Sequence, residues 1–61
     1  MEQAYFETVM RENYRKMGED RGFWENVSMV SDLYHTGAIS VDEHHFLRDL
    51  NRHLCDVLFP L

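Results

Sequence analysis

A stop signal for one helix and a start signal for the next stand between Gly37 and Glu43, and they constrain the fold more than any other feature. Gly37 is suited to the left-handed conformation in which many helices end. The following residues 40–43 (SVDE) have the S-x-x-E pattern of a capping box, in which the Ser40 hydroxyl and the Glu43 carboxylate each accept a backbone N–H. So short a connection predicts two antiparallel helices, an αα-hairpin.

The helix predicted after this turn, over about 41–58, carries one apolar face. Leucines recur on that face at helical spacing, at Leu47, Leu50, Leu54, Leu58 and Leu61. Pro60 cannot continue a helix and is expected to end it. The leucine face is therefore expected to form one side of the core.

Two further helical segments are predicted before the turn, over about 3–17 and 21–36. Gly18 and Gly22 lie close together in the chain and favour a break between the segments. An alternative joins them into one helix, because the apolar stripe of the first segment could continue through Met17, Trp24 and Val27. The predicted fold is all-α, a small three-helix domain built on an antiparallel helical hairpin that occupies residues 1–61.

The chain is too short to bury a large core. It has 61 residues, and a chain of that size hides only about 60% of the surface that its unfolded form exposes. Its one cysteine, Cys55, cannot form an internal disulfide, which suits a reducing cytoplasm. Small domains without disulfides are often stabilised by a metal ion or a second chain, so a homo-oligomer is left open.

Charge and hydropathy argue against two classes of partner. The net charge is −5, and the six basic residues are spread along the chain, whereas nucleic-acid binding favours a basic stripe. The most apolar stretch, residues 57–61, is far shorter than the roughly 18 residues of a membrane span. The N-terminal residues also lack the pattern of a signal peptide. We expect a cytoplasmic protein that contacts neither a membrane nor, directly, nucleic acid.

All four histidines and the cysteine fall within residues 34–55, which suggests a metal or catalytic site. On a helical wheel these histidines diverge, whereas zinc needs three or four converging ligands. The best local set is His45, Asp49 and His53, and it would need donors from a second chain. Cys55 is predicted near a helix C-terminus, where the dipole disfavours a thiolate. We predict no metal site within one chain, no cofactor and no enzymatic activity, with a metal-dependent helical dimer or sensor as the alternative.

Large apolar side chains beside the main stripes, or at the end of the last helix, are the candidate partner contacts. Trp24 projects from the second segment, Tyr14 flanks the stripe of the first, and Phe59 and Leu61 follow the third. Such side chains can fold over the ends of a small core, but they are also typical of binding hot spots. We predict these four as the partner-binding residues.

The segment 33–47 (LYHTGAISVDEHHFL) is similar to the hairpin of the short C-terminal (SHOCT) oligomerisation domains. That family joins an apolar helix end, a Gly-x-Ile-Ser/Thr-x-x-Glu turn and a following apolar helix. The resemblance implies self-association.

As a whole, the small, acidic and helical chain resembles the small early proteins of lambdoid bacteriophages, in particular the short reading frames of the exo–xis region. That resemblance implies a non-enzymatic regulatory protein, made early in infection, that biases development between lysis and lysogeny by binding a host or phage protein. It implies no functional residue. The leading hypothesis is a regulator that acts by protein–protein interaction; the alternatives are the metal-dependent dimer and a nucleic-acid-associated regulator.

Overall fold

The computed structural model describes residues 2–61 and contains two helices in that range. Helix α1 spans Gln3–His35 and helix α2 spans Val41–Leu58, and they pack against each other. No strand occurs in the described part of the chain. The predicted all-α helical hairpin is confirmed and the predicted bounds of the last helix match α2, but the predicted count of three helices is not matched.

The difference lies at Gly18, where the predicted break is confined to one residue, so that the helical segments on its two sides form the single element α1. Gly18 has φ 84° and ψ −172°, a non-helical conformation that glycine adopts without strain. The helix continues on both sides, so no separate helix begins at residue 21. We call residues 3–17 the first arm of α1 and residues 19–35 the second arm.

The kink folds the two arms of α1 back on each other. Asn13 Nδ2 lies 2.8 Å from Asn26 Oδ1, although residues so far apart on a straight helix would be separated by about 20 Å. The longest dimension of the molecule is 33 Å, whereas a straight helix as long as α1 would measure about 50 Å. The arms and α2 therefore enclose a common interior.

The arms are in close contact at Gly22, which is buried. A Cβ atom on Gly22 would lie 2.8 Å from Tyr14 Cδ1 and 2.9 Å from Tyr14 Cα. These distances are too short for any larger residue unless the backbone moves. The glycine that weakens the helix in the sequence is thus required by packing of the arms.

The predicted turn chemistry is confirmed between α1 and α2. Gly37 has φ 79°, its N–H donates to the Tyr34 carbonyl, and the Ala38 N–H donates to the Leu33 carbonyl, which is a Schellman motif. The Glu43 N–H donates to Ser40 Oγ at 3.1 Å. The Ser40 N–H donates to Glu43 Oε1 at 2.8 Å and completes the capping box.

The core is small and draws on all parts of the hairpin. Its buried apolar residues are Met10, Tyr14, Val30, Ile39, Leu47, Leu50 and Leu54. Leu58 and Leu61, predicted on the same face as the core leucines, are exposed, because they lie where α2 ends. No helix within residues 2–61 is long and apolar enough to cross a membrane.

Candidate partner-binding surface

Trp24, the first of the predicted partner contacts, is exposed on the second arm of α1. Its side chain is 65% accessible. The indole packs edge-on against Phe23, with ring centroids 5.4 Å apart and an interplanar angle of 90°. Because Phe23 packs against the core, the exposed indole has a fixed support.

Phe59 and Leu61 lie after the end of α2 and differ from each other in burial. Phe59 is partly buried, packs against the core and places its ring 5.7 Å from the ring of Tyr14. Leu61 is fully exposed. Of these two, Leu61 is the more accessible to a partner.

Tyr14, the fourth predicted contact, is buried and is not available to a partner in this fold. Only 2% of it is accessible. Its hydroxyl lies 2.5 Å from Asn51 Oδ1 and 3.1 Å from the Asn51 carbonyl oxygen. The ring lies at the close approach of the two arms, which turns it inward. Tyr14 is therefore a structural residue, contrary to the prediction.

A network of buried amide side chains, which the sequence did not predict, joins the two arms to α2. Asn26 Nδ2 donates to Asn51 Oδ1 at 3.0 Å and to the Met10 carbonyl at 3.4 Å. Asn13 Nδ2 donates to Asn26 Oδ1, and Asn51 Nδ2 donates to the Phe23 carbonyl at 3.3 Å. Every buried side-chain N or O atom among the described residues has a hydrogen-bond partner. The network fixes the relative position of three helical segments.

Burial makes Tyr14 hard to ionise. Desolvation, and after it the negative charge that the nearby Cys55 can carry, raises the pKa of Tyr14 to about 12. Cys55 is partly buried, and its Sγ lies 4.0 Å from Glu19 Oε2 as a weak donor. The phenol therefore remains a neutral hydrogen-bond donor to Asn51 at ordinary pH.

Two of the histidines, His44 and His45, form ring contacts near the turn. His44 lies 4.9 Å from the Tyr34 ring and 5.4 Å from the His45 ring, centroid to centroid. Partial desolvation lowers the pKa of His44, and the positive charges of Arg48, His45 and His35 lower it further. Within residues 2–61 no three His, Cys, Asp or Glu side chains are grouped to hold a metal ion. A site built on His45, Asp49 and His53 would need ligands from elsewhere.

A groove of about 290 Å³ lies between the second arm of α1 and α2. We call it the Trp24 groove. Its wall on α1 is formed by Phe23, Trp24, Asn26, Val27 and Val30, and its wall on α2 by His45, Arg48, Asp49, Asn51 and Arg52. The buried amides of Asn26 and Asn51 form the floor, and the exposed side chains form the rim.

Two arginines on the rim have no carboxylate partner within residues 2–61. The ion pairs between described residues join Arg11 to Glu7, and Arg15 and Lys16 to Glu12. Arg48 and Arg52 make none of these contacts. Arg52 instead places its guanidinium carbon 5.4 Å from the centroid of the Phe23 ring.

The groove and the two arginines on its rim were not recognised from the sequence. The opposite wall comes from α1, so no pattern within α2 could reveal it. One available signal was the spacing of Arg48 and Arg52, which lie four residues apart with the same charge. Two like charges at this spacing repel each other on a helix. A pair of this kind that no ion pair offsets is worth testing as a site that binds an anionic group.

Comparison with protein-family models, curated proteins and solved structures finds no match for this chain.

Proposed function

We propose that this chain is a non-enzymatic regulatory protein that acts by binding another protein, and that Trp24 is central to the binding surface. The observation that carries the proposal is the exposure of a rigidly supported indole beside a groove. Large aromatic side chains dominate the binding energy of many interfaces. An indole that is buried only on binding removes a large apolar area from water.

The hydrogen bonding of the interior supports a binding role for the surface rather than for the buried polar residues. The buried polar atoms of the described residues are paired within the chain, so the network needs no ligand to complete it. The exposed apolar side chains, by contrast, contribute little to this small core. Leu61, and to a smaller extent Phe59, are secondary candidates for contact with a partner.

The biological setting that we propose rests on resemblance alone. An early protein of a lambdoid phage would act in the cytoplasm of the bacterial host. Its partner would be a host or phage protein, and its effect a bias between lysis and lysogeny. Self-association through the same surface is included in the proposal, since a homodimer would also bury the indole.

Affinity capture of the full chain from bacterial lysate, followed by mass spectrometry, tests the proposal. We expect the wild-type chain to retain a specific partner and Trp24→Ala to lose it. Tyr5→Ala is the matched control, because Tyr5 is also an exposed aromatic residue, 61% accessible, but lies on the first arm.

Sedimentation of the purified chain completes this experiment. Trp24-dependent dimerisation would support self-association as the function of the surface. A monomer that retains no partner in the lysate, or a partner retained equally by Trp24→Ala, would contradict the proposal.

A further inference from the structure

The rim of the Trp24 groove has local positive charge on an acidic protein. The net charge of the chain is −5, yet Arg48 and Arg52 line this groove with Asp49 as the one carboxylate on the same walls. Arg48 and Arg52 lie one helical turn apart, and like charges at this spacing destabilise a helix slightly. Within residues 2–61 no ion pair offsets that repulsion. A ligand that brings negative charge would offset it.

Arg52 is already held in place by the opposite wall. Its guanidinium lies over the Phe23 ring at 5.4 Å, within the range of a cation–π contact. The guanidinium is planar, and its N–H donors lie in that plane and point away from its edges. Arginine can then bind a carboxylate through two parallel hydrogen bonds at a reduced entropic cost.

The α1 wall of the groove offers apolar contact next to these cations. Trp24 and Phe23 meet edge to face, and Val27 and Val30 continue the wall along the second arm. An occupant with an apolar side chain beside its carboxylates would match both walls at once. This combination is typical of a protein segment.

We propose that the Trp24 groove binds a short acidic segment of a partner protein, with carboxylates on Arg48 and Arg52 and an apolar side chain against Trp24. This inference rests on the proposed function and specifies the chemistry of the partner. It also assigns Arg48 and Arg52 as partner-binding residues.

The surroundings of the groove favour a short acidic segment over a nucleic acid. Two carboxylates, Asp20 and Glu25, and one cation, Arg21, line the surface on the other side of Trp24. Asp49 lies on the α2 wall. A phosphate backbone extending beyond the groove would meet these carboxylates. Charges are screened over about 8 Å at physiological salt, so a short segment would experience mainly the charges of the groove itself, which are two arginines and Asp49.

Fluorescence titration of the full chain tests this inference, because Trp24 is its only tryptophan. The probe is a synthetic peptide with blocked ends in which one leucine is flanked on both sides by glutamates. Its counterpart has glutamine in place of every glutamate, and an oligothymidylate strand represents nucleic acid. We expect the acidic peptide to change the Trp24 emission, with an affinity that falls as salt is raised.

Substitution of the two arginines provides the decisive comparison. Arg48→Gln/Arg52→Gln should weaken binding of the acidic peptide by about tenfold or more, because two charge-assisted contacts are lost. Arg11→Gln/Arg15→Gln changes the net charge equally but leaves the groove intact, and should bind like the wild type. No binding of the acidic peptide, equal binding of its glutamine counterpart, or tighter binding of the oligothymidylate would overturn the inference.

Capture from lysate separates failure of this inference from failure of the proposed function. A partner that depends on Trp24 but is retained by Arg48→Gln/Arg52→Gln would overturn the acidic-segment inference and leave the proposed function standing. Absence of any Trp24-dependent partner or dimer would overturn the proposed function itself. A partner lost with both variants, together with binding of the acidic peptide, would support both.

Discussion

Asn26 and Asn51 lie at the floor of the Trp24 groove, whereas Arg48 and Arg52 lie at its rim, and the two pairs differ in how their polar groups are satisfied. The buried amides exchange hydrogen bonds with each other, with Tyr14 and with backbone carbonyls. The arginines have no carboxylate partner within residues 2–61. The floor is therefore satisfied within the fold, while the arginines of the rim keep N–H donors that no carboxylate of residues 2–61 occupies.

The largest effect is expected from Asn51→Ala, which removes the centre of the floor. The Tyr14 hydroxyl and the Asn26 amide would each lose a buried partner. We expect the free energy of unfolding to fall by about 3 kcal/mol, measured by urea denaturation. His53→Ala, an exposed site on the same helix, should stay within about 0.5 kcal/mol of the wild type. Equal costs for the two substitutions would refute a structural role for the floor.

The ionisation of Tyr14 gives a pH-dependent test of the same interior. Because its pKa is raised from 10.0 to about 12 in the folded chain, the unfolded chain releases the proton first as pH rises. The stability that comes from keeping the Tyr14 phenol protonated in the folded chain is fully present below pH 10. It is lost between pH 10 and about pH 12. The loss should amount to about 3 kcal/mol at most.

Denaturation as a function of pH would measure this loss. Tyr14→Phe should remove the part of the alkaline slope that comes from Tyr14, while Tyr5→Phe should retain it because Tyr14 remains. An unchanged slope in Tyr14→Phe would show that the phenol is not protected by the interior.

Gly22→Ala tests the close packing of the arms that positions both floor and rim. Alanine is normally favoured over glycine within a helix, but here its Cβ would meet the Tyr14 backbone at 2.9 Å. We expect a loss of about 2 kcal/mol from this overpacking, measured as a lower denaturation midpoint. Ser28→Ala, at an exposed position of the same arm, should have little effect or be slightly stabilising. A stabilising effect of Gly22→Ala would mean that the arms are not in close contact.

Ser40→Ala has a smaller expected effect, because it acts at the turn and away from both floor and rim. Loss of the N-cap hydrogen bond to the Glu43 N–H should cost about 1 kcal/mol. Thermal unfolding measures the change, with Ser28→Ala again as the control. Equal stability of the two serine variants would show that the capping box does not stabilise the chain.

The turn and α2 could be predicted from the sequence because their determinants are local. Gly37, Ser40 and Glu43 act within one or two turns of helix, so their roles follow from residue type and spacing. The leucine face of α2 follows from periodicity within one segment. These features could be predicted without knowing which residues pack against them.

The packing of the two arms on each other and the groove could not be predicted in the same way, because each depends on contacts between distant segments. The break at Gly18 was predicted, with a helical segment on either side, but the sequence did not show how the two segments pack. Asn13 lies at helical spacing from Met10 and Met17, and an amide among apolar residues was a signal for buried pairing. Its partners on the second arm and α2 were not readable from the sequence. Tyr14 was misassigned to the surface for the same reason.

Measurement of stability and of acidic-peptide binding in Arg48→Gln/Arg52→Gln tests the central claim most directly, namely that the rim binds while the floor stabilises. The double variant should unfold within about 1 kcal/mol of the wild type, since it loses only exposed charges and one cation–π contact. Its affinity for the acidic peptide should fall by about tenfold or more. Unchanged affinity, or a loss of stability as large as that of Asn51→Ala, would contradict the account.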